Sequence, residues 1–107
     1  DMIVSGGENV YPAEVENAIA GCPGVADVAV IGVPDEKWGE AVKALIVADG
    51  EGPTADAVIA WAKERIAGYK APKSVEIVEA LPRNPSGKVL RRELRARYWA
   101  GRDRAVG

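Results

Sequence analysis

The chain has 107 residues and a mass of 11.3 kDa, with 48% hydrophobic residues, 28% charged residues and a formal net charge of −2. This composition is typical of a single globular domain, and no apolar run approaches the roughly 20 residues of a membrane-spanning helix. The sequence has no histidine and one cysteine, Cys22, which excludes Ser-His-Asp and Cys-His catalysis and an internal disulfide, and disfavours a zinc site. A lone cysteine fits a reducing compartment, so we expect the cytoplasm.

Charge is distributed unevenly along the chain. Residues 1–82 carry 6 basic and 14 acidic side chains, whereas residues 83–107 carry 8 basic and 2 acidic ones. A basic end on an acidic body can bind an anionic partner such as a phosphate, a nucleotide or a nucleic acid. It can equally be a solvated basic helix that folds back against the acidic body. The charge pattern alone leaves both interpretations open.

The first half of the chain predicts a short hairpin, a helix and two long strands. Residues 2–10 are two short strands around a glycine turn, and Pro12 begins a helix that ends near Ala20. Residues 25–33 are a continuous run of β-branched and small apolar side chains, typical of a buried strand. Pro34 and Asp35 should end it, and a long polar loop should lead to a second, antiparallel strand at residues 41–48.

The second half predicts two helices and a third main strand. Thr54 is a good N-cap for a helix to about residue 67, and residues 74–79 alternate as a strand does. Two prolines and a glycine make residues 81–87 irregular, and a last helix covers about residues 89–100 before a frayed tail at 101–107. The fold class is therefore α+β in one domain over residues 1–107. A small, mainly antiparallel three-stranded sheet is flanked by helices and preceded by a short two-stranded hairpin.

Among the cations in the sequence, Lys88 is the candidate for contact with a phosphate. It follows Asn84-Pro85-Ser86-Gly87 and precedes a basic helix, so we expect it to be exposed on a mobile loop. The phosphate-loop motif would need a glycine at position 82 and a Ser or Thr at position 89, and the chain has Pro82 and Val89 there. What remains is a cation that can reach a partner's site and stabilise phosphate charge, or a solvated surface lysine.

Three other segments are candidates for ligand contacts. The turn at residues 5–8 contains Gly6 and Gly7, which allow close approach of another group to the backbone or form a plain hairpin turn. Trp38 lies in a polar connector, where it either caps a hydrophobic edge or offers its ring to a ligand. Residues 69–73 combine an aromatic side chain with two cations, which suits a nucleotide.

Taken in order, four motifs resemble one known family over nearly the whole chain. They are residues 1–16 (DMIVSGGENVYPAEVE), 32–40 (GVPDEKWGE), 69–73 (YKAPK) and 81–94 (LPRNPSGKVLRREL). Together they are similar to the C-terminal domain of acyl-CoA synthetases. These enzymes belong to the adenylate-forming superfamily, which also includes firefly luciferase and the adenylation domains of peptide synthetases.

The resemblance implies an enzyme with two half-reactions. A carboxylate and ATP form an acyl-adenylate, and the acyl group then passes to the thiol of coenzyme A. The small C-terminal domain rotates between the two steps. Lys88 falls on the family's catalytic lysine for adenylation, and the hinge lies at Asp1 or the residue before it. Gly6 and Gly7 fall where a turn borders the pantetheine tunnel.

The resemblance also implies coenzyme A contacts and missing parts. Trp38, and more loosely Lys70 and Lys73, fall near positions that contact the nucleotide of coenzyme A, while Ala71 stands where some relatives have a basic residue. ATP and coenzyme A are substrates, Mg²⁺ is expected outside this domain, and an N-terminal adenylation domain is the expected partner. The fragment alone should be inactive.

Two alternative functions remain open. Within the family, the acyl acceptor can be the phosphopantetheine arm of a carrier protein rather than coenzyme A. Outside it, the basic end fits a small α+β module that binds nucleic acid or another protein. That module would need basic and aromatic side chains spread over one face of the sheet, whereas the predicted strands carry mainly Val, Ile and Ala. We therefore expect no nucleic-acid partner.

Overall fold

The computed structural model of the chain describes residues 2–100. The strands are β1 (Ile3–Ser5), β2 (Glu8–Val10), β3 (Val25–Asp35), β4 (Gly39–Ala48) and β5 (Ser74–Val78). The helices are α1 (Pro12–Ala20), α2 (Ala55–Lys63) and α3 (Arg91–Trp99), with a 3₁₀ turn at Gly68–Lys70. The predicted α+β class is confirmed. The predicted hinge residue Asp1 and the predicted frayed tail at 101–107 lie outside the described residues.

The predicted three-stranded sheet and the predicted hairpin join into one five-stranded sheet with β4 at its centre. The order is β2-β1-β4-β3, and β5 also pairs with β4. β3 and β4 are antiparallel along their length, and β1 meets β4 only at the pair Ser5–Gly39. β5 runs parallel to β4 because the chain crosses over through α2 before it returns to the sheet.

The connection between β3 and β4 is shorter than the sequence suggested. Pro34 and Asp35 do not end β3 but pair with Glu40 and Gly39. In this register the nitrogen of Pro34 points to the open edge of the sheet, like the N–H of Val30, so its missing hydrogen costs no ladder bond. The prediction of a long loop was wrong, since residues 36–38 alone form the turn.

Two helix ends also differ from the prediction. α2 ends at Lys63 rather than near residue 67, because the N–H groups of Arg65 and Ile66 both donate to the carbonyl of Ala62 and tighten the chain into a turn. α3 begins at Arg91 rather than residue 89, because Val89 forms an antiparallel bridge with residue 83.

The sheet separates two hydrophobic clusters, because successive side chains of β3 and β4 point to opposite faces. One cluster lies under α1 and α2 and includes Val15, Ile19, Val30, Val42, Ile46 and Val58. The other lies under α3 and includes Ala29, Ile31, Leu45, Leu81 and Leu94. Both faces of the central strands are thus covered by helices, so they offer no open platform of the kind that the nucleic-acid alternative requires.

Side chains from α1 and α3 cover the free edge of β3. Glu16 accepts a hydrogen bond from the N–H of Val30 at 2.9 Å, and the indole of Trp99 donates to the carbonyl of Gly32 at 2.8 Å. Arg91 pairs with Glu16 at 2.5 Å, and both side chains are largely buried. The described part of the basic segment thus packs against α1 and β3, and these contacts protect the edge from pairing with another chain.

Candidate functional site

Trp38 is the centre of one candidate site, at the turn between β3 and β4. Asp35 shapes this turn, because its Oδ1 accepts hydrogen bonds from the backbone N–H groups of residue 37 and Trp38, both at 2.9 Å. The Trp38 side chain remains 37% exposed. The Nζ atoms of Lys37 and Lys73 lie 4.9 and 5.0 Å from the ring centroid. The arrangement offers an aromatic surface with two cations, which suits a ligand that carries a base and phosphates.

The glycine turn between β1 and β2 lies against this tryptophan. The N–H of Gly6 donates to the carbonyl of Trp38 at 2.9 Å, and a Cβ on Gly6 would lie 2.6 Å from the ring atom Cε3. Gly7 has nothing within 4 Å of an added Cβ. The two glycines therefore differ: Gly6 lets the indole pack on the backbone, and Gly7 leaves the turn open on its outer side.

Lys70 lies in a different environment from the other predicted coenzyme A residues. Its amine contacts both carboxylate oxygens of Glu14 at 3.0 Å, which ties the 3₁₀ turn to α1. The hydrogen bond to Glu14 raises the pKa of Lys70. Ala71 is buried in the cluster under α1 and α2 and offers no charge. Lys73, rather than Lys70, is the predicted lysine that the structure brings to Trp38.

Lys88 forms the second candidate site, in the turn before α3. The expected exposure of Lys88 is confirmed, and within residues 2–100 no carboxylate forms a salt bridge with it. The segment that carries Lys88 forms a hydrogen-bonded turn, and its expected mobility stays a prediction. Asn84 Oδ1 accepts from the N–H of Lys88 at 2.9 Å and from the N–H and hydroxyl of Ser86 at 3.0 and 2.7 Å. The N–H of Asn84 donates to the carbonyl of Lys88 at 2.9 Å, so the lysine backbone is held on both sides.

The two candidate sites lie at opposite ends of the β3–β4 hairpin. Trp38 follows Asp35 at the turn, whereas the Lys88 turn is joined to Asp27, near the start of β3, through an ion pair of Arg83. The eight residue steps from Asp27 to Asp35 span about 26 Å in an extended strand. The two candidate sites are therefore anchored at points that lie far apart along β3.

Two contacts of the candidate sites have no signal in the sequence: the amine of Lys37 near the Trp38 ring and the ion pair between Arg83 and Asp27. Lys37 precedes Trp38, but nothing in the sequence shows that the turn directs its amine over the ring. Arg83 and Asp27 are 56 positions apart, and no periodicity connects them.

Residues 2–100 contain no group of three or more His, Cys, Asp or Glu side chains that could hold a metal ion. Within the same residues, no helix is both long and apolar enough to span a bilayer.

Comparison with known proteins finds longer relatives that match this chain over nearly its whole length. The chain is 58% identical over 99 residues to a feruloyl-CoA synthase from Amycolatopsis sp., a match that covers 92% of this chain and 20% of that protein. It is 49% identical over 107 residues to the fatty acid–[acyl-carrier-protein] ligase ScoC from Streptomyces coeruleorubidus, covering 99% of this chain and 21% of that protein. The chain therefore spans about one fifth of the length of these curated relatives.

A solved structure agrees in fold as well as in sequence. A Mycobacterium tuberculosis fatty acyl CoA synthetase superposes with a TM-score of 0.88 at 53% identity, covering 96% of this chain and 20% of that one. The family model of the AMP-binding enzyme C-terminal domain matches residues 14–88, which is most of the chain. The chain belongs to the AMP-binding enzyme C-terminal domain family.

Proposed function

We propose that this chain is the mobile C-terminal domain of an ATP-dependent acyl-CoA synthetase. The whole enzyme is an AMP-forming acid–thiol ligase that converts an acid, ATP and coenzyme A into acyl-CoA, AMP and pyrophosphate. The observation that carries this proposal is that Trp38 lies at the β3–β4 turn, whereas the turn of Lys88 is joined through Arg83 to Asp27, about 26 Å away from Asp35 along β3. A domain that presents two separate surfaces suits an enzyme whose two half-reactions use one acyl site in turn. The domain rotates about a hinge at Asp1 to present each end.

Lys88 serves the adenylation step in this proposal. Its amine is exposed and has no carboxylate partner among residues 2–100, so the cation is available to an anion on the N-terminal domain. A preorganised cation stabilises the charge that develops at the α-phosphate, and loss of one such donor typically slows a reaction about 10²–10³-fold. The Mg²⁺ that accompanies ATP is assigned to the N-terminal domain in this proposal.

The Trp38 end serves the thioester-forming step. The ring and the amines of Lys37 and Lys73 fit the adenine and phosphates of coenzyme A, and the open side of Gly7 forms one wall of the pantetheine tunnel. Lys70 supports this region indirectly, because Glu14 occupies its amine. The names of the relatives favour a fatty or aromatic acid as the substrate. The buried lone Cys22 favours the cytoplasm as the compartment.

The proposal is tested by assaying both half-reactions in the intact enzyme. Adenylation is measured as ATP–pyrophosphate exchange across a panel of fatty and aromatic acids, and transfer is measured from a supplied acyl-adenylate to coenzyme A. Lys88→Ala should slow adenylation about 10²–10³-fold and leave transfer nearly intact. Arg92→Ala is the matched control, because it removes an exposed cation from the same basic segment. Equal slowing of both steps by Lys88→Ala would contradict the proposal.

Gly7→Leu should have the opposite effect, with transfer blocked and adenylation retained. Gly50→Leu is its control, because Gly50 also has a positive φ and open space around it but lies at the far end of β4. The control separates obstruction of the tunnel from backbone strain, which both substitutions introduce. If Gly7→Leu and Gly50→Leu slowed transfer equally, the Gly7 turn would not border the thiol's path.

A carrier protein is the second candidate acceptor, favoured by the 49% identity to a fatty acid–[acyl-carrier-protein] ligase. The Trp38 end distinguishes the two acceptors, because coenzyme A carries an adenine nucleotide and the carrier-bound arm does not. Trp38→Ala should weaken transfer to coenzyme A more than transfer to a phosphopantetheinylated carrier protein, because both acceptors pass the glycine turn on which Trp38 packs but only coenzyme A carries the nucleotide. A preference of the unaltered enzyme for the carrier protein would assign that acceptor instead.

A further inference from the structure

The turn that carries Lys88 is anchored to the sheet by one arginine. Arg83 Nη1 donates to the carbonyl of Gly87 at 2.6 Å, and Nη2 donates to Asp27 Oδ2 at 2.5 Å. Asp27 lies in β3, and its other oxygen accepts from the N–H of Val28 at 2.9 Å. The guanidinium thus spans from a fixed carboxylate on the sheet to the peptide directly before Lys88.

Without Arg83, the hydrogen bonds of the turn would keep its shape but would not fix the position of its tip relative to the sheet. The bonds of Asn84 all lie within residues 84–88, so they fix the shape of the turn and not its position relative to the sheet. The bridge between Arg83 and Val89 holds the base of the turn. Among the hydrogen bonds of residues 2–100, those of Arg83 connect the tip, through the Gly87 carbonyl, to Asp27 of β3, which precedes Arg83 by 56 positions.

We propose that Arg83 and Asp27 form a clamp that positions Lys88 for adenylation. This inference rests on the proposed role of Lys88. With one Nη on Gly87 and the other on Asp27, Arg83 is a positioning residue and not the cation that acts on the phosphate. Asp27 fixes the guanidinium, the guanidinium fixes the Gly87–Lys88 peptide, and the peptide fixes the origin of the lysine side chain.

The clamp matters for rate more than for folding stability. The Arg83 and Asp27 side chains are 40% and 34% exposed, and an ion pair at such exposure adds little to the free energy of unfolding. The position of a catalytic group is far more sensitive, because a displacement of about 1 Å can cost on the order of 100-fold in rate. Loss of the clamp should therefore appear in catalysis while the domain stays folded.

The test compares Asp27→Ala, Arg83→Met and the double variant in the intact enzyme. Each single variant should slow adenylation roughly tenfold or more, by less than Lys88→Ala does, and leave transfer to coenzyme A unchanged. The double variant should be no slower than the slower single variant, because both residues act through one contact. Glu64→Ala is the control, since it removes the carboxylate of another exposed ion pair, Arg65–Glu64, and should change neither step.

Three outcomes distinguish failure of the clamp from failure of the proposed role of Lys88. If Lys88→Ala leaves adenylation unchanged, the proposed role of Lys88 fails and the clamp fails with it. If Lys88→Ala slows adenylation but Asp27→Ala does not, the clamp is refuted while the proposed function stands, and any slowing by Arg83→Met then marks a direct phosphate contact. Multiplicative losses in the double variant would also refute the clamp. Thermal unfolding of every variant shows that the domain remains folded in each comparison.

Discussion

The packing of Trp38 on the glycine turn can be tested with two neighbouring substitutions, Gly6→Ala and Gly7→Ala. Both glycines have positive φ, at +59° for Gly6 and +82° for Gly7. A Cβ on Gly6 would lie 2.6 Å from Cε3 and 2.9 Å from Cζ3 of Trp38, whereas a Cβ on Gly7 would meet nothing within 4 Å. Both variants therefore strain the backbone, and only Gly6→Ala also displaces the indole.

The expected costs follow from these two effects. An alanine held in the left-handed region costs about 1–2 kcal/mol, and this is the whole cost expected for Gly7→Ala. Carbon atoms in contact are about 3.5–4.0 Å apart, so Gly6→Ala must move the Trp38 ring by about 1 Å. Overpacking of this kind costs about 1–3 kcal/mol. Gly6→Ala should thus reduce the free energy of unfolding by about 2–5 kcal/mol.

Urea unfolding of the 107-residue chain, followed by circular dichroism, measures both costs by linear extrapolation. The decisive comparison repeats the two substitutions in a Trp38→Ala background. Without the indole, Gly6→Ala should cost the same as Gly7→Ala, so Gly6 and Trp38 should show a coupling energy of about 1–3 kcal/mol. Gly7 and Trp38 should show none.

Two results would refute this reasoning. Equal destabilisation by Gly6→Ala and Gly7→Ala would show that the ring does not rest on Gly6. A cost of Gly6→Ala that persists unchanged after Trp38→Ala would show that the strain comes from the backbone alone. Either result would also remove the support that holds Trp38 in place for a nucleotide.

Two further predictions concern buried charge and pH. A Cβ on Gly32 would overlap the buried carboxylate of Glu40. Gly32→Ala should therefore reduce the free energy of unfolding by about 1–3 kcal/mol. In the double variant, Glu40→Ala should relieve part of that cost. Burial and a hydrogen bond to Glu76 raise the pKa of Tyr98 from 10.0 to about 12. The stability that this shift contributes is fully present below pH 10 and is lost as the pH rises through about 12. The denaturant midpoints of unfolding of Tyr98→Phe and of the parent chain should therefore converge over that interval. A difference between the two midpoints that does not change with pH would contradict the assignment.

The main elements could be predicted because local sequence patterns encode them. The apolar run at residues 25–33 predicted a strand buried on both faces, and β3 has side chains in both hydrophobic clusters. Thr54 predicted the start of α2, and its hydroxyl accepts from the N–H of Ala57 at 3.1 Å. Such signals depend on neighbours within a few residues, so the sequence displays them directly.

The errors arose where distant parts of the chain decide the local structure. A proline usually ends a strand, but β3 lies at the edge of the sheet and the nitrogen of Pro34 faces away from β4. The parallel pairing of β5 depends on how the chain crosses over through α2. The assignment of Lys70 to coenzyme A stays a prediction, and the contact of its amine with Glu14, 56 positions earlier, is one that no local pattern displays.

The geometry of the β3–β4 hairpin explains how one domain can serve two reactions. Its strands are paired along their length and both faces are buried. Glu16 and Trp99 form hydrogen bonds with backbone groups at the free edge of β3. Such a hairpin does not bend easily, so a rotation about one hinge moves both ends together and through the same angle. Under the proposed function, bringing the Trp38 end to the acyl site necessarily withdraws Lys88 from it. The alternation of the two ends at the acyl site then follows from their separation along β3, about 26 Å from Asp27 to Asp35, rather than from any change within the domain.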